Sequence, residues 1–224
     1  LTGMDLLKAD KIFISHRHRD HTAGLPELRQ IWMREMIKKN PSLINQNVSM
    51  PVITTGLTHG LSLVSDIFID NHDKVIIPDM FWGNYKLIFS VLHQAEVVNF
   101  EFFDSMYRFN VKALEETIEK GGNKVILILN FPNNPTGYSL STQEQKATVD
   151  ALIRQAEKGK DILVMCDDSY FGLFFEDGIE TESIFARLCG AHDNITAVKI
   201  DGATKEELAW GFRTGFIPFG GKAL

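Results

Sequence analysis

The residues of this chain that could do chemistry gather at the ends of short apolar runs. Lys205 closes Gly202-Ala203-Thr204-Lys205, just past the run Ile195–Asp201. An amine at a strand end, sheltered from water, can act as a nucleophile, although a lysine taken singly also reads as a surface charge. Arg213, in Trp210-Gly211-Phe212-Arg213-Thr214-Gly215, lies near the same mouth. Asp167 and Asp168 follow the run Ile162-Leu163-Val164-Met165-Cys166 and open Asp167-Asp168-Ser169-Tyr170. A partly buried carboxylate there needs a cation or hydrogen-bond donors. The plain alternative is a helix N-cap, with Asp168 as the candidate. Gly56-Leu57-Thr58-His59-Gly60 offers backbone N–H groups and a hydroxyl at a helix start, which suits a phosphate, or it merely closes a β-α unit. Phe81, Trp82 and Tyr85, in Asp79-Met80-Phe81-Trp82-Gly83-Asn84-Tyr85, can stack on a planar ligand or pack beneath the next helix. Asn130-Phe131-Pro132-Asn133-Asn134-Pro135-Thr136-Gly137 is stiffened by two prolines and fixes an Asn amide able to donate or accept. His16, His18, Asp20 and His21 stand close enough in sequence to hold one or two Zn²⁺ ions, or to form a solvated loop of mixed charge.

These residues need a scaffold, and the pattern supplies one. Strands are expected at Lys11–Ser15, Pro51–Thr55, Lys74–Pro78, Ala95–Phe100, Lys124–Asn130, Asp161–Asp167, Ile195–Asp201 and Phe212–Phe219. Continuous apolar runs such as Val125-Ile126-Leu127-Ile128-Leu129 suit parallel strands covered on both faces. Between them lie helical patterns at Pro26–Lys39, Leu57–Ile69, Asn84–Leu92, Val111–Glu119 and Ser141–Glu157. The first carries Leu28, Ile31, Trp32 and Met36 on one side. Asn110 is a good N-cap, and Ser141 with Glu144 fits a capping box. Alternating strands and helices imply right-handed crossovers and a mainly parallel sheet, whose ligands sit beyond the carboxyl ends of the strands.

Composition excludes several classes. The chain has 224 residues, 44% hydrophobic and 23% charged, an ordinary globular balance that argues against disorder, collagen or coiled coil. Its length accommodates one large domain or two small ones. A net charge of −6 gives no global attraction for nucleic acid or an anionic membrane. No apolar run reaches the ~18 residues a membrane span needs. The start, Leu-Thr-Gly-Met, does not read as a signal peptide, and a first residue other than Met reads as a fragment or a mature form. Two cysteines, Cys166 and Cys189, without CxxC spacing point away from a disulfide framework or zinc ribbon and toward a reducing cytoplasm.

Taken in order, Gly56-Leu57-Thr58, Trp82-Gly83-Asn84, Asn130 to Gly137, Asp167-Asp168-Ser169-Tyr170 and Lys205 resemble the large domain of fold-type I pyridoxal 5′-phosphate (PLP) enzymes, the class I/II aminotransferases. Arg213 follows Lys205 by 213 − 205 = 8 positions, the spacing of that family, and Gly24-Leu25-Pro26-Glu27-Leu28-Arg29 resembles its helix entry. The likeness covers about residues 24–220. It implies a three-layer α/β/α fold with a mainly parallel sheet. Residues 26–224 would form a truncated PLP-binding large domain, with residues 1–25 an atypical N-terminal segment and the small C-terminal domain absent. It implies an aminotransferase acting on an amino acid and a 2-oxo acid, a cytoplasmic homodimer. Lys205 would hold PLP as an imine and move the proton between the substrate α-carbon and the cofactor. Asp167 would keep the ring nitrogen protonated. Asn134 and Tyr170 would bond the ring's phenolic oxygen, and Trp82, or Phe81 in its place, would stack on the ring. The Leu57 N–H, Thr58 and Arg213 would hold the phosphate. The family's hydroxyl residue three before the lysine is Gly202 here, so Thr204 or a backbone N–H stands in. The arginine that clamps the substrate carboxylate and the tyrosine lent by a partner subunit have no counterpart, so efficient transamination is not expected of these residues alone.

Lys11 to His21 separately resemble the HxHxDH segment of metallo-β-lactamase-type hydrolases, in which bound metal lowers the pKa of water. That fold needs further ligands on later strands, and His59, His72, His93 and His192 all lie inside the aminotransferase-like pattern. A zinc-dependent hydrolase is therefore the alternative function, without an assigned metal site. A non-catalytic truncated PLP-binding domain is the third.

Overall fold

A computed structural model describes residues 24–221. The chain runs α1 (Leu25–Lys39), β1 (Val52–Thr54), α2 (Leu57–Phe68), β2 (Lys74–Pro78), α3 (Asn84–Lys86), β3 (Glu96–Phe100), α4 (Val111–Lys120), β4 (Lys124–Asn130), α5 (Thr142–Glu157), β5 (Asp161–Asp167), α6 (Ile184–Leu188), β6 (Ile195–Ile200), β7 (Gly215–Ile217) and β8 (Phe219–Gly220). The main sheet has the order β3-β2-β4-β5-β6-β8. All its pairs are parallel except β6 with β8.

Helices cover both faces, which makes the three-layer α/β/α arrangement. Side chains alternate along each strand. Val125, Leu127 and Leu129 of β4 therefore join Met36, Leu114, Leu152 and Phe185 on one face. Ile126 and Ile128 join Leu61, Val64, Tyr85 and Phe89 on the other. Burial of each large side chain is worth about 1.5–3 kcal/mol, which is why the central strands are apolar throughout. The Ser141–Glu144 capping box forms with both bonds present, and Asn110 caps α4 through the N–H of Ala113.

Three expectations are corrected. The run at 212–219 is not one strand. Trp210–Phe212 is a 3₁₀ turn, Arg213 is left-handed (φ 51°), and the chain then divides into β7, paired with β1, and β8, paired with β6. Pro218 separates the two, where a missing N–H interrupts strand pairing. No helix follows Asp168, so it caps nothing and pairs with a buried lysine instead. On α1 the expected side holds, since Leu28, Ile31, Trp32 and Met36 together line a second cavity, with Met36 buried. The pattern at 84–92 widens into a π-helical turn at Leu87–Leu92. The strand Lys11–Ser15 and the segment His16, His18, Asp20 and His21 lie outside the described residues. Among the described residues, no helix is long and apolar enough to cross a membrane.

Candidate active site

Register brings the chemistry together. Asn130, the last residue of β4, stands opposite Asp167, the last of β5, and Asp167 stands opposite Ile200 of β6. Above these carboxyl ends is a cavity of about 300 Å³. Its lining includes all eight residues singled out from the sequence: Leu57, Thr58, Trp82, Asn134, Asp167, Tyr170, Lys205 and Arg213. Phe81, the alternative to Trp82, lies outside the lining and packs under Lys86.

Asp167 is only 2% exposed, and donors surround it. The Tyr85 hydroxyl donates to Oδ2 at 2.5 Å. The Ser169 N–H donates to Oδ1 at 3.0 Å, and the Ser169 hydroxyl donates to the same oxygen. Burial, and then the Asp167 charge, hold the Tyr85 hydroxyl well above its ordinary pKa, so Tyr85 keeps its proton and remains a donor. The two carboxylate oxygens carry about four acceptor positions. Three donors leave one for a protonated ring nitrogen.

Lys205 faces this carboxylate from the loop after β6. Its Nζ lies 4.6 Å from the centre of the Tyr170 ring. Burial lowers the amine below the ordinary lysine value and Arg213 adds to the effect, with Asp167 opposing. A lysine so depressed carries a larger share of the free amine needed for attack on a carbonyl carbon. Its loop is tied from behind. Glu206 pairs with Lys39 at 2.8 Å and lies across Gly172, where φ is +88° and a Cβ would sit 2.1 Å from the Glu206 Oε1.

The amides form a chain across the floor. Asn130 Nδ2 donates to the Asp167 carbonyl at 2.7 Å, and Asn130 Oδ1 accepts from the Asn134 N–H at 2.7 Å. Asn134 Nδ2 points at the Tyr170 hydroxyl, 3.5 Å away. Trp82 stands edge-on to Tyr85, with centroids 5.6 Å apart.

An anion cup occupies the remaining wall. Gly56, with φ +89°, turns the chain into α2, whose first N–H groups have no partner one turn earlier. The Arg213 guanidinium lies so near that a Cβ on Gly56 would stand 3.1 Å from its Nη2. Gly215 lets β7 approach this turn, since a Cβ there would meet the Gly56 carbonyl carbon at 2.8 Å. At Gly202 a Cβ would meet the Thr214 carbonyl oxygen at 2.6 Å, so no hydroxyl side chain fits where relatives of the family have one. Thr204 lines the cavity and carries a hydroxyl there.

Sequence reasoning read Tyr85 only as an aromatic and missed its hydrogen bond to Asp167, and it gave no role to Ser169 or Leu61. Tyr85 had a usable signal: it follows Trp82 by three positions, one helical turn, and a buried aspartate needs such a donor. Ser169 is two residues after the carboxylate that it bonds, the spacing of a local side chain–backbone turn. Among the described residues, no group of three His, Cys, Asp or Glu side chains is placed to hold a metal.

A desolvated amine, a buried carboxylate and a guanidinium beside a helix start surround one slot, an arrangement whose chemistry suits a phosphorylated, nitrogen-containing ring. Comparison with known proteins agrees. The model of the family "Aminotransferase class I and II" matches residues 20–219, and the chain belongs to that family. It is 26% identical over 202 residues to aromatic-amino-acid aminotransferase 2 of Thermococcus litoralis, covering 89% of this chain and 48% of that one. To the aspartate aminotransferase of Bacillus subtilis it is 24% identical over 201 residues, covering 90% of this chain and 48% of the other. The crystal structure of an aminotransferase from Anaerococcus prevotii superposes with a TM-score of 0.73 at 26% identity, covering 84% of this chain and 47% of that one. The chain thus spans about half the length of these relatives. The family is PLP-dependent, and PLP is the expected cofactor. The residues present fit it: the cavity has room for one heteroaromatic ring, a charge-matched group at each end, and a cup for the phosphate.

Proposed function

We propose that this chain is the cofactor-binding part of a PLP-dependent aminotransferase that moves an amino group between an amino acid and a 2-oxo acid. Residues 26–224 would form the PLP-binding large domain. The observation that supports the reading best is the convergence of Lys205, Asp167 and the Arg213–α2 cup on one cavity.

Bound PLP supplies an electron sink for the pair released when a bond to the substrate α-carbon breaks. Lys205 would anchor the cofactor, and its amine would move the proton at the substrate α-carbon. Asp167, held by Tyr85 and Ser169, would keep a proton on the ring nitrogen. Asn134 and Tyr170 would hold the phenolic oxygen, and Trp82 would stack on the ring. The first turn of α2, Thr58, Thr204 and Arg213 would hold the phosphate.

The protein works as a homodimer in the cytoplasm. Exposed Leu87, Val91 and Leu92 on one segment support an association surface. Two free, buried cysteines suit a reducing compartment.

Titration with PLP tests the reading. The expected result is a saturable visible absorbance band, one equivalent per chain, that Lys205→Ala abolishes. A band that survives Lys205→Ala, or its absence in the parent, overturns the reading.

A further inference from the structure

On the face of β5 and β6 turned away from the cavity lies an ion triad that the chemistry above leaves unused. Lys199 is 0% exposed. Its ammonium stands 2.8 Å from Asp168 and 2.6 Å from Asp201, with the Phe171 ring centre 4.4 Å away. The Ser183 hydroxyl donates to Asp168 at 2.6 Å, and the Gly202 N–H donates to Asp201 at 2.8 Å. Two carboxylates face one ammonium, so the interior holds excess negative charge. Burial pushes the Asp168 carboxyl up to about 6 although Lys199 pulls the other way. Burial also pulls the Lys199 amine down, but Asp168 and Asp201 outweigh it and hold the amine above its ordinary value.

Such a triad is a poor way merely to fill a core. Apolar side chains of equal volume often serve stability as well or better. Its place in the fold supplies a reason. Asp168 directly follows Asp167 and comes two residues before Tyr170, while Asp201 comes four residues before Lys205. The Asp168 N–H already donates to the Ile200 carbonyl at 2.9 Å. Lys199 therefore joins the two strand exits that carry opposite ends of the slot.

We infer that Lys199 is a positioning residue: by clamping Asp168 and Asp201 it sets the separation between the turn that carries Asp167 and Tyr170 and the loop that carries Lys205. Its functional consequence rests on the cofactor reading above, but the clamp itself does not.

The test uses two variants. One combines Lys199→Met with Asp168→Asn and Asp201→Asn, which removes every charge at nearly constant volume. The other, Asp201→Asn alone, leaves a neutral Lys199–Asp168 pair and serves if the first does not fold. Each is compared with the parent by circular dichroism, by the pH dependence of acylation at Lys205 read by peptide mass spectrometry without cofactor, and by PLP titration. The expected result, in a variant that keeps the parental dichroism spectrum, is a Lys205 amine that titrates nearer the ordinary lysine value, because its loop has left the desolvating site. PLP binding should be weaker by roughly ten- to a hundredfold. A triad that only stabilises the fold would leave Lys205 titration and PLP binding unchanged in every folded variant, and that result overturns the inference. If the parent binds no PLP yet Lys205 titration moves in the variants, the clamp stands and the cofactor reading falls. If the parent binds PLP and Lys205 does not move, the reverse holds.

Discussion

Gly202→Ser restores the hydroxyl that many class I/II aminotransferases carry three residues before the lysine, and the structure predicts that it harms this protein. A Cβ at Gly202 meets the Thr214 carbonyl oxygen at 2.6 Å, Leu57 Cδ1 at 2.8 Å and the Gly215 Cα at 3.3 Å. Two of these atoms are backbone, and they have little room to retreat. Gly215 opens β7, which is paired with β1, and a Cβ on Gly215 would already stand 2.6 Å from the Thr54 hydroxyl. Overpacking of this kind costs about 1–3 kcal/mol. A domain of this size loses about 2–4 °C per kcal/mol, so the melting temperature should fall by roughly 2–12 °C. The displaced backbone adjoins Arg213, so the anion cup opens and PLP binding weakens instead of gaining a donor. Differential scanning calorimetry and a PLP titration of parent and variant read both effects. A Gly202→Ser protein that melts within about 1 °C of the parent and binds PLP more tightly would refute the reasoning.

Two further outcomes follow from the same geometry. Tyr85→Phe removes a hydrogen bond to a buried carboxylate, which should cost about 1.5–3 kcal/mol in urea unfolding. A loss under about 0.5 kcal/mol would mean that Asp167 does not depend on that donor. Lys205 titrates lower in the folded chain than in the unfolded one, so the folded state binds fewer protons just below the ordinary lysine value of 10.5. Its penalty is present at neutral pH and relieved as pH rises toward 10.5. Lys205→Met should therefore melt above the parent at neutral pH, with a gap that narrows in alkaline buffer; a gap that widens contradicts the depressed amine.

Much of this fold was legible because its strands are unambiguous. Lys74–Pro78, Lys124–Asn130 and Asp161–Asp167 match the expected bounds, since each is an apolar run opened by a charge and closed by a turn former. The cavity residues were legible because strand ends in such sheets converge on the ligand. What escaped was set by tertiary packing. Ile184–Leu188 is five residues long, too short to show a helical period. The division at Pro218 depends on which sheet each half reaches, not on local preference. Lys199 sits in Ala197-Val198-Lys199-Ile200 and reads like an edge residue facing water. Only the pairing of β5 with β6 reveals two carboxylates beside it. Tyr85 was visible as an aromatic, but its polar end acquires meaning from Asp167, 82 positions away.

The central claim is that Lys205 is the amine that takes the cofactor. Borohydride reduction of the chain mixed with PLP, followed by peptide mapping, measures it directly. The account predicts one reduced pyridoxyl group per chain, on the peptide that contains Lys205. A group on Lys199, on Lys39 or on any other lysine, or no group at all, would contradict it.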